Sequence, residues 1–363
     1  MDHKTAVAMS GGVDSSAAAL LLRREGRDLV GVTLKLVDGA LVGVNGESAC
    51  CSLDDVEDAR AVARRLGFPH YVFHMTGCFR EAVVDPFVRA YEAGRTPNPC
   101  VLCNRAVKFG ALLRRADELG WDKVATGHYA RLGCDEGSGR WLLKKAAHRS
   151  KDQSYVLAML TQDQLSRAVF PLGELSKEEV RAVAEEAGLA SARKRDSQDI
   201  CFIPDGDYGA FLRRYTGKDY PSGPYLDEAG AVLGRHTGLV DYTVGQRRGL
   251  GVSSTAGRLY VKELRRSDNT VVLSDNASLF ARTLEADGLN LIACTRLDGP
   301  VRLAAKVRYR MAEQPCTLEQ TGEDTIRLTF DSPQRAITPG QTVVFYDGDV
   351  AVGGAVIKKS VPD

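Results

Sequence analysis

The feature that most constrains this chain lies at its start. Residues 5–9, Thr-Ala-Val-Ala-Met, form a short apolar run. Ser10, Gly11 and Gly12 follow, and an Ala- and Leu-rich run from Ser16 to Arg24 stops at Gly26. The pattern predicts a strand, a tight turn and a helix. A strand that feeds a helix through a Ser/Gly turn leaves backbone N–H groups unused at the positive end of the helix dipole. That is a site for an anion, and phosphate is its usual occupant. The two glycines let the backbone come close to a ligand, Ser10, Ser15 and Ser16 add hydroxyls, and Asp14 can hold a metal ion or orient the loop. The turn has neither the lysine of the Walker A pattern nor the three-glycine spacing of the dinucleotide fingerprint, so it is a phosphate loop of another kind.

The alternation continues. Strands are expected over 28–36, 70–75 and 122–126, with helices over 52–66, 78–93 and 105–119 between them. Ser52-Leu-Asp-Asp55 and Ser176-Lys-Glu-Glu179 have capping-box spacing, and Gly67 and Gly188 close the helices that they open. Such alternation implies a parallel sheet covered on both faces, with the ligand beyond the carboxyl ends of the strands. The Ser10–Ser15 loop and Gly127-His128 both fall there. Past about residue 205, turn residues multiply and helical periodicity fades. At 363 residues the chain exceeds what one core usually supports. The reading is α/β: a Rossmann-like parallel-sheet domain over 1–205, a β-rich central module over 206–278 and a C-terminal β-barrel over 279–363.

No stretch has the length and apolarity of a membrane span and no signal-peptide layout opens the chain, so a cytoplasmic protein without a membrane partner is expected. With a net charge of +1, any nucleic-acid surface must be a local patch. One candidate is the run from Val301 to Arg310. At period two, Arg302, Lys306, Arg308 and Arg310 share one face, which fits either a polyanion or plain solvent. The nine cysteines are not expected to form a disulfide framework in a reducing compartment. Cys78, Cys134, Cys294 and Cys316 read as small buried hydrophobes. Cys100 and Cys103 follow a turn stiffened by Pro97 and Pro99, and Cys103 is expected to open a helix, where a thiol pKa falls. Cys201, after an acidic turn, is a third reactive candidate. Half of a zinc site, completed by Cys50 and Cys51, is the alternative for the first pair.

Ser10-Gly-Gly-Val-Asp-Ser15 resembles the PP-loop of ATP pyrophosphatases, which split ATP between the α and β phosphates. Five further motifs follow: the 96–104 stretch with Asn98, Cys100 and Cys103, Ala125-Thr-Gly-His-Tyr129, Lys151-Asp-Gln-Ser-Tyr155, the 196–202 stretch with Cys201, and Gly245-Gln-Arg-Arg-Gly-Leu-Gly251. In this order they resemble the tRNA-specific 2-thiouridylase family over essentially the whole chain. The resemblance implies ATP, with Mg2+, at Ala8, Met9, Ser10, Gly11, Gly12, Val13, Asp14, Ser15, Leu34 and Gly127. It implies that the wobble uridine of tRNA is adenylated at O2 and then thiolated at C2. It places Asn98, Pro99 and Cys100 at the target base, and Lys151, Asp152, Gln153, Arg308 and Tyr309 on the tRNA. In a persulfide scheme Cys201 carries sulfur and Cys103 releases it, with a sulfur-donor or relay protein as partner.

The chain departs from many relatives by carrying Cys100 where they have Asp. Cys100, Cys103 and Cys201 together could hold a [4Fe–4S] cluster with one open iron, and a third thiolate at this spacing favours that chemistry. Two rival functions remain: another PP-loop ligase acting on a small acceptor, and a zinc-stabilised RNA-binding protein without turnover.

Overall fold

The computed structural model describes residues 4–37, 53–194, 200–254 and 257–361. Cys50, Cys51, Ser52 and residues 195–199 of the motif before Cys201 lie outside them.

The first sheet holds β1 (Thr5–Ala8), β2 (Leu29–Lys35), β3 (His70–His74), β4 (Lys123–Ala125) and β7 (Ala168–Val169), in the order β3-β2-β1-β4-β7. Every neighbouring pair is parallel. Alternate residues of β1 serve opposite faces. Ala6 joins a cluster with Phe79, Phe87, Val107 and Phe109, while Val7 joins one with Ala17, Ala18, Ala59 and Val62. Both faces are thus dry, as a parallel sheet requires. The helices expected over 52–66 and after Ser176 appear as Leu53–Leu66 and Lys177–Glu186. Ser176 and Glu179 make both bonds of the capping box, and the αL glycines Gly67 and Gly188 follow the helices.

A four-stranded sheet follows, formed by β8 (Gly223–Leu226), β9 (Val232–His236), β10 (Tyr260–Arg265) and β11 (Thr270–Ser274). Ahead of it stands a helix, Tyr208–Thr216, where fading periodicity predicted none. Asp207 caps it, and Phe211 and Leu212 dock it into the core of the first domain.

The barrel comprises β12 (Phe280–Leu291), β13 (Val301–Lys306), β14 (Gln314–Gln320), β15 (Ile326–Arg335), β16 (Thr342–Asp347) and β17 (Val350–Val361). Its order is β12-β15-β14-β13-β16-β17, and β12 pairs with β17 to close it. Period-two burial is clean in β15, where Ile326, Leu328 and Phe330 point inward. A hairpin of the first domain, β5 (Ala130–Cys134) and β6 (Trp141–Lys145), extends the barrel sheet through β17. Nothing in the sequence motifs announced that join.

Candidate active site

The phosphate loop leaves β1 at Ala8, and the Met9 N–H still bonds the Val32 carbonyl at 2.8 Å. Gly12 is the N-cap residue of the Val13–Arg24 helix. The hydroxyls of Ser15 and Ser16 donate to the Gly12 carbonyl, and the Ser10 N–H donates to Ser15 Oγ at 3.2 Å. The serines therefore build the loop as well as lining it. Gly11 has a second duty too. At φ +71°, a Cβ there would lie 2.5 Å from the Asp55 carbonyl oxygen. Only glycine fits between the loop and the helix that follows β2.

Gly127 follows β4, and a Cβ on it would come within 2.8 Å of the Ser15 nitrogen. Leu34 is buried near the carboxyl end of β2. The ten residues expected around ATP thus gather at the carboxyl edge of β1, β2 and β4. Strand order reverses between β2-β1 and β4, and ligands of open α/β sheets bind at such a point. His128 turns away from this edge. It is buried between Phe109 and Phe170, hydrogen-bonded to Thr126 Oγ1 at 2.7 Å, and burial holds its pKa well below the ordinary value. Burial disfavours its charged form.

Asp14 is the charged member of the loop. The Tyr129 hydroxyl and the Lys177 ammonium both donate to its Oδ1, each at 2.7 Å. The sequence reading missed both donors. Tyr129 sat inside a recognised motif, and Lys177 was hidden behind the capping role of Ser176. Tyr129 also makes two bonds with Gln153: its N–H donates to the side-chain Oε1 at 2.9 Å, and its carbonyl accepts from the Gln153 N–H at 2.8 Å. The phosphate loop is thereby tied to the Lys151–Tyr155 segment.

The cysteine helix begins earlier than expected. Asn98 is its N-cap and accepts from the Cys100 N–H at 3.1 Å, and Pro99 occupies the first position, where no N–H is needed. Cys100, not Cys103, stands in the first turn. Cys100 is exposed, whereas Cys103 is 8% exposed and part of the first domain's core. From Cys103 to Ala111 the helix widens into a π-helix, a form common at functional sites. Asn104 bonds the Val156 carbonyl at 3.0 Å, while its buried Oδ1 has no partner. Cys201 is half-buried and packs on the same cluster as Cys103. Among the described residues, no three Cys, His, Asp or Glu side chains are placed to hold a metal ion.

The residues expected on the tRNA divide. Asp152 accepts from the Ala146 and Ser154 N–H groups and from the Ser154 hydroxyl, so it, like Gln153, shapes its own segment. Tyr155 lies beneath. Its hydroxyl donates to the Thr342 carbonyl of the barrel at 2.6 Å, and burial, opposed by Arg308 and Asn98, raises its pKa. Tyr309 is 38% exposed above it, with ring centroids 5.9 Å apart. Burial, then Asp152 and the nearby Cys100 thiol, raise the Tyr309 pKa. The basic face expected over 301–310 is broken. β13 ends at Lys306, which lies 5.5–5.9 Å from the ring centroids of Tyr155, Tyr309 and Tyr346. Arg302 is paired with Asp331 at 2.6 Å. Arg308 turns inward to the Val244 and Ala336 carbonyls and Thr338 Oγ1. Of that parity only Arg310 is left exposed and outside these bonds.

Comparison with known proteins now decides the family. Residues 3–205 match the tRNA methyl transferase HUP domain, residues 209–275 its PRC-barrel domain, and residues 281–357 the aminomethyltransferase beta-barrel domain. The tRNA-specific 2-thiouridylase MnmA of Clostridioides difficile (strain 630) is 46% identical over 99% of each chain. That of Koribacter versatilis is 51% identical over 97% of this chain and 98% of its own. The chain belongs to the tRNA-specific 2-thiouridylase family. Within that family, the structure joins the phosphate loop to the Lys151–Tyr155 segment through Tyr129 and Gln153. It sets Asn98, Cys100, Tyr155 and Tyr309 near one another, and the side chains of Asp152, Gln153 and Arg308 bond to the fold around them.

Proposed function

We propose that the chain catalyses the ATP-dependent 2-thiolation of the wobble uridine of tRNA, acting in the cytoplasm. One observation carries the reading. A chain that matches these enzymes over nearly its whole length places the Cys100 thiol close enough to Tyr309 to act on its pKa, and Tyr129 and Gln153 tie the phosphate loop to the segment beneath them. ATP lies on the 8–15 loop, flanked by Leu34 and Gly127. The backbone N–H groups at the helix start take its phosphates. Mg2+ comes with the nucleotide and is held chiefly by the phosphates themselves, since the Asp14 carboxylate is already engaged.

The target base enters beside Asn98, Pro99 and Cys100, with Lys151 and Tyr309 outside it. Uridine O2 attacks the α-phosphorus and pyrophosphate leaves. A persulfide on Cys201, loaded by a sulfur-donor or relay protein, attacks C2 with its terminal sulfur, and AMP leaves. The Cys103 thiolate then attacks Cys201 Sγ, breaking the bond to the transferred sulfur and leaving a Cys103–Cys201 disulfide for an external thiol to reduce. A [4Fe–4S] cluster on Cys100, Cys103 and Cys201 is the alternative sulfur carrier.

The test is pyrophosphate release that requires tRNA and no small-molecule acceptor. Alongside it runs single-turnover thiolation by anaerobic protein of measured iron content. Iron-free protein should thiolate from a persulfide donor, and Cys100→Ala should retain that activity while Cys103→Ala and Cys201→Ala lose it. Turnover confined to iron-reconstituted protein, with loss in Cys100→Ala, would establish the cluster instead.

A further inference from the structure

Lys177 has no role in the chemistry described so far, yet its placement is costly. It is 7% exposed and occupies the first position of the Lys177–Glu186 helix, where the helix dipole is positive and a cation is disfavoured. Burying an ammonium is unfavourable unless a partner is fixed opposite it. That partner is Asp14 Oδ1 at 2.7 Å, and the Tyr129 ring centroid lies 6.0 Å away. The position is rigid from both sides. The capping box of Ser176 and Glu179 fixes where the helix starts, and Val180 and Ala184 pack it against the Val13–Arg24 helix through Ala17 and Ala18. Asp14, for its part, sits in the first turn of the phosphate-loop helix. A carboxylate there is held by the same dipole that draws phosphate, so left alone it would compete with a bound triphosphate and repel it.

We propose that Lys177 is a positioning residue of the nucleotide site: it neutralises the Asp14 carboxylate and, with Tyr129, holds it in one orientation, so that the loop meets ATP as a neutral pair. The inference rests on the loop being the ATP site. It makes a demand that a merely structural lysine would not. Removing Lys177 should weaken ATP binding, and removing the Asp14 charge as well should restore it.

The experiment is calorimetric titration of the full-length protein with Mg-ATP. Wild type is compared with Lys177→Met, Lys177→Arg, Asp14→Asn and the Asp14→Asn/Lys177→Met double variant, with melting temperature recorded for each. Lys177→Met is expected to bind ATP roughly tenfold or more weakly, as an unpaired carboxylate beside phosphate requires. Lys177→Arg should bind within about threefold of wild type, because it keeps the charge at a similar reach. The double variant should also return to within about threefold of wild type, which is the non-additivity expected of two groups acting as one pair. A double variant as weak as Lys177→Met overturns the proposal, as does a Lys177→Met variant that binds like wild type. If Lys177→Met does not fold, the double variant alone decides, since it leaves no unpaired charge. Wild type that binds no ATP would overturn the nucleotide site itself, and a wild type that binds while the double variant does not overturns only the role of Lys177.

Discussion

At the scale of single residues, Asp14 answers to three neighbours at once: the helix dipole, Tyr129 and Lys177. Asp14 in turn fixes the Tyr129 hydroxyl and the Lys177 ammonium beside the phosphate loop, where a donor and a cation can meet the charge that develops on the phosphates. Asp14→Ala should therefore abolish tRNA-dependent pyrophosphate release, a loss of several kcal/mol of transition-state stabilisation of the size typical for such groups. Nucleotide and tRNA affinity should stay within about threefold, because the ammonium that Asp14 leaves behind does not repel phosphate and the residues expected on the tRNA lie elsewhere. Rate and equilibrium binding measured on one preparation check both halves. The loop residues around Asp14 were legible in the sequence because their spacing is local. Tyr129 and Lys177 were not, since partners 115 and 163 residues away carry no spacing signal.

At the scale of elements, the Val301–Arg310 run shows what periodicity can and cannot say. Alternation correctly separates Arg302 from its apolar neighbours, but it assumes a strand that continues, and β13 stops at Lys306. Beyond that point parity no longer assigns faces, and Arg308 goes inward. The basic face thus resolves into unequal parts. Arg302→Gln should leave tRNA affinity and its salt dependence nearly unchanged, because Asp331 already neutralises the guanidinium. Arg310→Gln should weaken binding and reduce the salt slope by about 0.7–0.9, the counterion released per phosphate contact. Affinity measured across a salt series distinguishes the two, and equal effects would mean that the Arg302 pair opens on binding. The cysteine helix is a similar case. The sequence pattern places the prolines in a stiff turn before a helix, whereas Pro99 is the helix's first residue, where a missing N–H costs nothing.

At the scale of the whole molecule, the first domain and the barrel share one sheet and many bonds. Arg140 donates to the Leu291 and Ile292 carbonyls, Gln162 to the Ile292 carbonyl, Asn290 to the Ala158 and Leu160 carbonyls, and Tyr155 to the Thr342 carbonyl. The two bodies should therefore unfold together. A single denaturant transition is expected for wild type, and Arg140→Ala should lower its stability by about 1–3 kcal/mol by leaving half-buried carbonyls under-bonded. Two separate transitions in the wild type would show that the join is weak. What the sequence alone determined is whatever depends on near neighbours: the strand–loop–helix of the phosphate site, the alternation that makes a parallel sheet, the capping box at Ser176, and the motifs that mark the family. What only the tertiary structure decided is whatever depends on chain segments meeting. It decided that Lys177 and Tyr129 converge on Asp14, that a hairpin of the first domain extends the barrel sheet, and that Arg308 bonds into the fold. Those pairings come from the packing of surfaces distant in sequence, and a linear pattern records the surfaces without recording which of them touch.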